Sequence, residues 1–397
     1  MGKYIREKKK SDYKPVAIAL GIYAITLPLD YIGVGNIGSF SKLIAFVPML
    51  FFLFQLRQTT KLKMNGLFLW LILYLSLASV SYTYSISQQR TLNALGSPVL
   101  NILMILTMGG LTEFCEKEIA FLKKCLIIGS WVAVVFVIFF GITPYGRATI
   151  SFGEYEQDQN YLCGYMFFAF IFHFERFINQ KKVGHLLLAL IILIAVVMTG
   201  SRGALLALFI CIIFEVFAVA KENHHGIRTL IISIVGLTGL YLLITILVIP
   251  NLDSTIAERF SLEYIKEEGT TGRAEIWAHL WSIFKGSGLF RQIFGNGYGT
   301  TMYLNDLNHK VAHNLYIDTL ITLGIIGVVF LLGIQISCLR IAYRKKDMFL
   351  FCAMIGYAVM CMSMSLVSYK PLWVTIMMTM ILDNNEAVCV KDEIKST

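Results

Sequence analysis

The chain is 397 residues long, 57% hydrophobic and 15% charged, with only 7 prolines. That balance excludes a water-soluble domain and describes a protein dissolved in lipid. Its net charge of +9 does not argue for nucleic acid, because the basic residues fall in short connections between apolar runs, where they face anionic headgroups.

A helix needs about 20 mostly apolar residues to cross a bilayer core, since lipid offers the backbone no hydrogen-bond partner. Such runs predict spans near 15–33, 40–56, 65–83, 92–111, 122–142, 159–178, 184–200, 203–220, 228–250, 315–339, 347–367 and 370–382. The fold class expected is all-α, a polytopic membrane protein of about 12 transmembrane helices. Residues 1–250 hold helices 1–9, 251–314 form a large extracytoplasmic loop, and 315–397 hold helices 10–12 with a cytoplasmic tail. The fourth span carries Gly96, Pro98, Gly109 and Gly110, residues that bend or break a helix. Most of the 34 Lys and Arg fall on alternate connections. The positive-inside bias therefore places both termini in the cytoplasm and the 251–314 loop outside a plasma membrane. The basic first 14 residues lead into a span with no small-residue cleavage site, so no removable signal peptide is expected. None of the 8 cysteines lies in the large loop, which argues against a disulfide framework or a cysteine metal site.

Along the chain, Asp30 and Tyr31 close the first span as interfacial residues. The segment after span five carries Arg147, Glu154, Glu156, Asp158 and Asn160. Alternate carboxylates suit a solvated loop, with Asp158 or Asn160 capping the next helix. An oxygen-ligated cation is the weaker reading for want of a DxD pair, so no metal is expected. Spans seven and eight are joined by little more than Thr199-Gly-Ser-Arg-Gly203, which leaves Arg202 at the rim of the bilayer. A charge there faces a cavity or partner, or else snorkels to headgroups.

In the large loop, Ile276, Trp277, Leu280, Trp281, Ile283 and Phe284 recur at helical spacing after Thr271 and Gly272, plausible N-cap positions. This predicts an amphipathic helix on the membrane surface, its tryptophans at the interface. Arg273 then stands in the first turn, beside free N–H groups that favour an anion, a phosphate site. Gly295, Gly297 and Gly299 have no strand before them or helix after them to make a dinucleotide site. They read as a tight turn that lets backbone approach a ligand. His309 and His313 stand four apart, with Asn314 adjoining. They lack a third zinc ligand and the HExxH glutamate. A histidine, with an ordinary pKa of about 6.5, suits a general base better.

Thr199–Leu208 (TGSRGALLAL), Thr270–Trp277 (TTGRAEIW), Phe294–Gly299 (FGNGYG) and Ala312–Val329 (AHNLYIDTLITLGIIGVV) together resemble, in order and separation, the Wzy/O-antigen ligase superfamily of membrane glycosyltransferases. Asp158–Leu162 (DQNYL) resembles that family's DxN segment, with glutamine where proline is common. The resemblance implies a GT-C-like fold, an active site at the outer face, and transfer of a glycan from a polyprenyl-pyrophosphate donor to a glycan acceptor without metal, nucleotide sugar or other cofactor. By that resemblance Arg202 and Arg273 hold the pyrophosphate and His313 deprotonates the acceptor hydroxyl. His309 is the reserve base, and Asn314, Asp158, Asn160 and Arg147 are secondary substrate contacts. Membrane lipids, a flippase and a chain-length regulator are the partners implied, and no nucleic acid. Polysaccharide polymerase is the favoured activity and O-antigen ligase the alternative. A carrier of lipid-linked glycan is weaker, since no internal repeat is visible and the charges gather at one surface.

Overall fold

The computed structural model describes residues 13–34, 38–54, 65–141, 147–152, 155–222, 249–251, 254–261, 272–304, 311–365 and 367–384, with the single residues 239, 246 and 264. The protein is all-α. Its strands among the described residues are two short hairpins, Gly33–Val34 with Gly38–Ser39 and Ser151–Phe152 with Tyr155–Glu156. Eight helices come first: α1 Pro15–Thr26, α2 Phe40–Phe54, α3 Gly66–Val80, α4 Gln88–Met104, α5 Glu116–Phe140, α6 Gln159–Gln180, α7 Val183–Met198 and α8 Arg202–Glu222. Short helices α9 Ser254–Arg259, α10 Arg273–Gly286, α11 Leu289–Phe294 and α12 Thr301–Leu304 lead to α13 Leu315–Arg344, α14 Met348–Met360 and α15 Lys370–Asn384.

A helix stands at each predicted span except the one over 228–250, which lies outside the described residues apart from 239, 246, 249 and 250. Among the described residues, 6 helical segments can cross a membrane by length and composition: 66–84, 88–111, 116–140, 159–180, 202–219 and 315–344. Shorter apolar helices, α1, α2, α7 and α14, pack beside them. Side chains such as Phe54 and Phe139 remain exposed, as lipid-facing positions require. The expected break in the fourth span is a change of winding instead: α4 accommodates Pro98 and continues through a π-helical stretch, Ile105–Leu111. Polar caps start several helices. Asn65, Asp158, Asn314 and Asp347 each accept a hydrogen bond from an N–H of the first turn of α3, α6, α13 and α14, satisfying donors that would otherwise be orphaned.

The glycine run explains how the loop is tied to the bundle. Inside α13, Gly324 leaves helical geometry with φ +69°, which frees carbonyls of the preceding turn. Asn296 donates its backbone N–H (3.1 Å) and its Nδ2 (2.9 Å) to the Ile321 carbonyl, and Gly297 N–H reaches the Thr322 carbonyl at 3.0 Å. Buried backbone groups left unpaired cost several kcal/mol each, so the break and the run depend on one another. The approach is close enough that a Cβ on Gly295 would strike the Thr322 backbone and one on Gly324 the Ile293 carbonyl. Gly295 and Gly297 also hold positive φ, +80° and +108°, a region that costs other residues strain. The run is then pinned to the turn between α3 and α4, where Tyr298 N–H donates to Ser81 Oγ (3.0 Å) and Ile86 N–H to the Asn296 carbonyl (3.0 Å). Gly295 thus approaches α13, Gly297 the Ser85 turn and Gly299 the side chain of Ala94 in α4.

Gly324→Ala is expected to lower stability by at least ~1 kcal/mol, from left-handed strain and the collision with Ile293. Gly286→Ala, with open space around it, is expected to stay within about 1 kcal/mol of wild type. Thermal unfolding in detergent checks both.

Candidate active site

At the end of the bundle where α6 and α8 begin, four arginines gather. The turn Thr199–Ser201 between α7 and α8 organises them. Gly200 takes φ +66°, which turns adjacent carbonyls outward. Arg147 donates from Nε to the Thr199 carbonyl at 2.7 Å and from Nη2 to Asn160 Oδ1 at 3.2 Å. Arg259, the last residue of α9, donates from Nε to the Gly200 carbonyl at 3.3 Å. Arg202 opens α8 and lies over the Tyr264 ring, 5.7 Å from its centroid. Arg273 is the first residue of α10, where the backbone N–H groups of the first turn add positive potential. All four side chains are half-buried.

The electrostatics record how tightly the four share one space. Burial pushes the Arg147 guanidinium below its ordinary range, and repulsion from Arg259 is the next cause. Burial also lowers Arg273; attraction by Asp158 opposes it, and repulsion from Arg259 and Arg202 adds to it. Asp158 is therefore, among the described residues, a carboxylate that faces Arg147 and Arg273. Its Oδ1 accepts from the N–H groups of Asn160 (2.8 Å) and Tyr161 (3.2 Å), so it also caps α6.

His313 stands between two parts of this cluster. The preceding residue, Ala312, accepts a hydrogen bond from Trp277 Nε1 at 2.8 Å, one helical turn along α10 from Arg273. The following residue, Asn314, donates from Nδ2 to the Met362 carbonyl at 3.0 Å. The neighbouring Ser363 packs so closely on Gly203, next to Arg202, that a Cβ there would strike its hydroxyl. His313 itself holds a left-handed backbone, φ +47°, strain that marks a position set by its surroundings. Asn314 also accepts from Tyr316 and Ile317 N–H (3.0 and 3.1 Å) as the cap of α13. Most of its amide therefore serves the protein.

Among the residues expected from the sequence, Arg147, Asp158, Asn160, Arg202, Arg273, His313 and Asn314 come together at this end. His309 and Glu154 lie outside the described residues. Glu156 is exposed in the second hairpin and accepts from Gln159 Nε2 at 3.3 Å. Arg259 escaped sequence reasoning because Ser254–Arg259 carries no motif; its place is set by a carbonyl 59 positions away. The amphipathic helix is present as α10, with Ile276 and Leu280 buried against Ala312 and Ile321. Its two tryptophans part company: Trp277 turns inward to Ala312, whereas Trp281 is 49% exposed and stacks on Phe284.

Apolar helices that carry a cluster of arginines at one end define the class as an integral membrane protein. A family model described as O-Antigen ligase matches residues 187–332. That stretch contains the TGSRGALLAL, TTGRAEIW, FGNGYG and AHNLYIDTLITLGIIGVV segments. The match supports the resemblance to the Wzy/O-antigen ligase superfamily, and with it a glycan-processing membrane protein of the polymerase or ligase type. No curated protein matches the chain. A chain from the solved structure described as "Structural coordination of polymerization and crosslinking by a peptidoglycan synthase complex" superposes with a TM-score of 0.47 at 16% identity, over 81% of this chain and 97% of that one. A likeness of that size carries no argument.

A multivalent anion relieves the repulsion among the four guanidiniums. Pyrophosphate is therefore expected to raise the thermal midpoint of the purified protein, and by mass action to add ~2.7 kcal/mol at about 100 times its Kd. Arg147→Gln and Arg259→Gln should each shrink that shift. A midpoint unmoved by pyrophosphate but moved by chloride at equal ionic strength would count against a built site.

Proposed function

We propose that the chain is a membrane glycosyltransferase that polymerises polyprenyl-pyrophosphate-linked oligosaccharide repeats into a surface polysaccharide at the extracytoplasmic face. The observation that carries this reading is the convergence of Arg147, Arg202, Arg259 and Arg273 on one half-buried space at an end of an apolar bundle. Such a space calls for a multivalent anion delivered along the membrane, and a lipid pyrophosphate is that anion. A polyprenyl chain remains in the bilayer while its pyrophosphate reaches the rim.

The chemistry follows from the residues. As the sugar C1–O bond to pyrophosphate breaks, the bonding pair leaves with the pyrophosphate, and the guanidiniums stabilise the charge that develops there. His313 takes the proton of the acceptor hydroxyl while that oxygen forms the new bond to C1. Asn314 and Asp158 act as positioning residues, one fixing the start of α13 beside His313 and the other the start of α6 beside Arg147. Asn160 holds Arg147 in place. A flippase supplying the donor and a chain-length regulator are the protein partners this activity would use. The description of the matching family favours a second reading, an O-antigen ligase that passes the finished glycan to lipid A core.

His313→Ala is expected to abolish transfer while the protein stays folded and still binds farnesyl pyrophosphate; full turnover would remove the proposed base. Arg202→Lys and Arg273→Lys should each cost at least about tenfold in rate, since a point charge does not reproduce the planar fork. EDTA should leave turnover unchanged. Incubation of purified protein with one lipid-linked repeat unit separates the two readings. A ladder of products marks a polymerase, transfer only when lipid A core is added marks a ligase, and no transfer in either case overturns the proposal.

A further inference from the structure

Beside the arginine cluster lies an open cleft of about 480 Å³ that the scheme above leaves unused. Val311, two residues before His313, and Ser365, whose carbonyl accepts from Tyr161 Oη at 2.9 Å, are both part of its wall. Tyr161 follows Asn160, the partner of Arg147. The cleft therefore adjoins the place where the acceptor hydroxyl would meet its base.

The wall mixes apolar and polar groups, and its charges are unequally matched. Asp30 is held by Lys370 and by the Ser41 hydroxyl, so the carboxylate expected to sit in interfacial water is bound within the protein. Asp318 accepts from Thr301 Oγ1 at 2.6 Å. Two further cations have no carboxylate within ion-pair distance among the described residues, Lys42 and Arg90. Arg90 spends donors on neutral acceptors, Nε on the Gly299 carbonyl and Nη2 on Met302 Sδ, both at 3.3 Å. Ser365 Oγ is buried in the wall with no hydrogen-bond partner among the described residues. Asn93, Ser97 and Ser368 add hydroxyl and amide groups of the kind sugars pair with.

Charge placement makes the same point. Lys42, Arg90, Arg147, Arg202 and Lys370 are the basic residues on the short connections that the positive-inside bias assigns to the outer face. Arg147 and Arg202 stand in the arginine cluster, and Lys42, Arg90 and Lys370 line the cleft. Every cation kept on those connections against the bias thus faces one of two adjoining sites.

We infer that the cleft is a subsite for an acidic sugar of the glycan substrate, with Lys42 and Arg90 receiving its carboxylate or phosphate and the neighbouring hydroxyl and amide groups its ring hydroxyls. The inference rests on glycan transfer at the adjoining site and adds to it a substrate class, oligosaccharides that carry a negative charge.

The test uses the full-length protein in neutral-lipid nanodiscs and two probes of equal length, trigalacturonate and its carboxyl-reduced counterpart trigalactose. Trigalacturonate is expected to bind at least about tenfold more tightly, in a salt-dependent way. Lys42→Gln and Arg90→Gln should each remove most of that preference while farnesyl pyrophosphate still binds. Arg273→Lys should weaken farnesyl pyrophosphate and leave trigalacturonate unchanged. The wild-type preference needs no substitution, so a variant that fails to fold does not shelter the idea. Equal binding of the two sugars, or a preference untouched by both cleft variants, overturns the subsite. So does exclusion of the acidic sugar by phosphatidylglycerol in the nanodisc with dependence on Lys42 and Arg90, which would mark a headgroup site. Binding of trigalacturonate without any binding of farnesyl pyrophosphate would instead overturn the pyrophosphate site and leave the cleft standing.

Discussion

The helix break at Gly324 is the constraint on which the rest of this molecule depends. A backbone interrupted within a long apolar helix exposes carbonyls that lipid cannot satisfy. Here the N–H groups of Asn296 and Gly297, and the Asn296 amide, satisfy them. Because that exchange requires backbone to touch backbone, the sequence on both sides is glycine. The consequence is mechanical. The glycine run 295–299 is welded into the bundle, and the segment 311–318 is held in register with α10 on one side and the 361–365 turn on the other.

Upon that frame the two polar sites are built by borrowed carbonyls rather than by motif residues alone. The turn at Gly200 offers consecutive carbonyls to Arg147 and Arg259, and the carbonyl of Gly299 anchors Arg90. Each arginine is thereby aimed by a neutral backbone acceptor, while Asp158 acts electrostatically on Arg147 and Arg90 on Asp318. An arginine paired with aspartate, as Arg344 is with Asp383 at the far end of α13, has its charge already answered.

A cluster of half-buried cations is costly, and the protein meets the cost partially. Asp158 acts on Arg147 and Arg273 and also caps α6. A ligand of several negative charges gains more from such a cluster than a monovalent one, since the attraction grows with charge while the position of the guanidiniums is already set. Preorganisation of this kind suits a leaving group whose charge increases as a bond breaks.

Membrane class, the positions of the described spans and the motif segments that carry Arg202, Arg273 and His313 were legible in the sequence, because apolar run length and short motifs are local signals. The N-cap role of Asp158 was legible for the same reason. What tertiary structure alone decided lies in long-range pairing. Arg259 enters through a carbonyl 59 positions away. Asp30 leaves the interface for Lys370, which is 340 positions distant. The glycine run answers α13 carbonyls that are free only once Gly324 departs from the helix. Local spacing reports which residues are able to carry charge or turn a chain; only the packed bundle determines which of them face the same space.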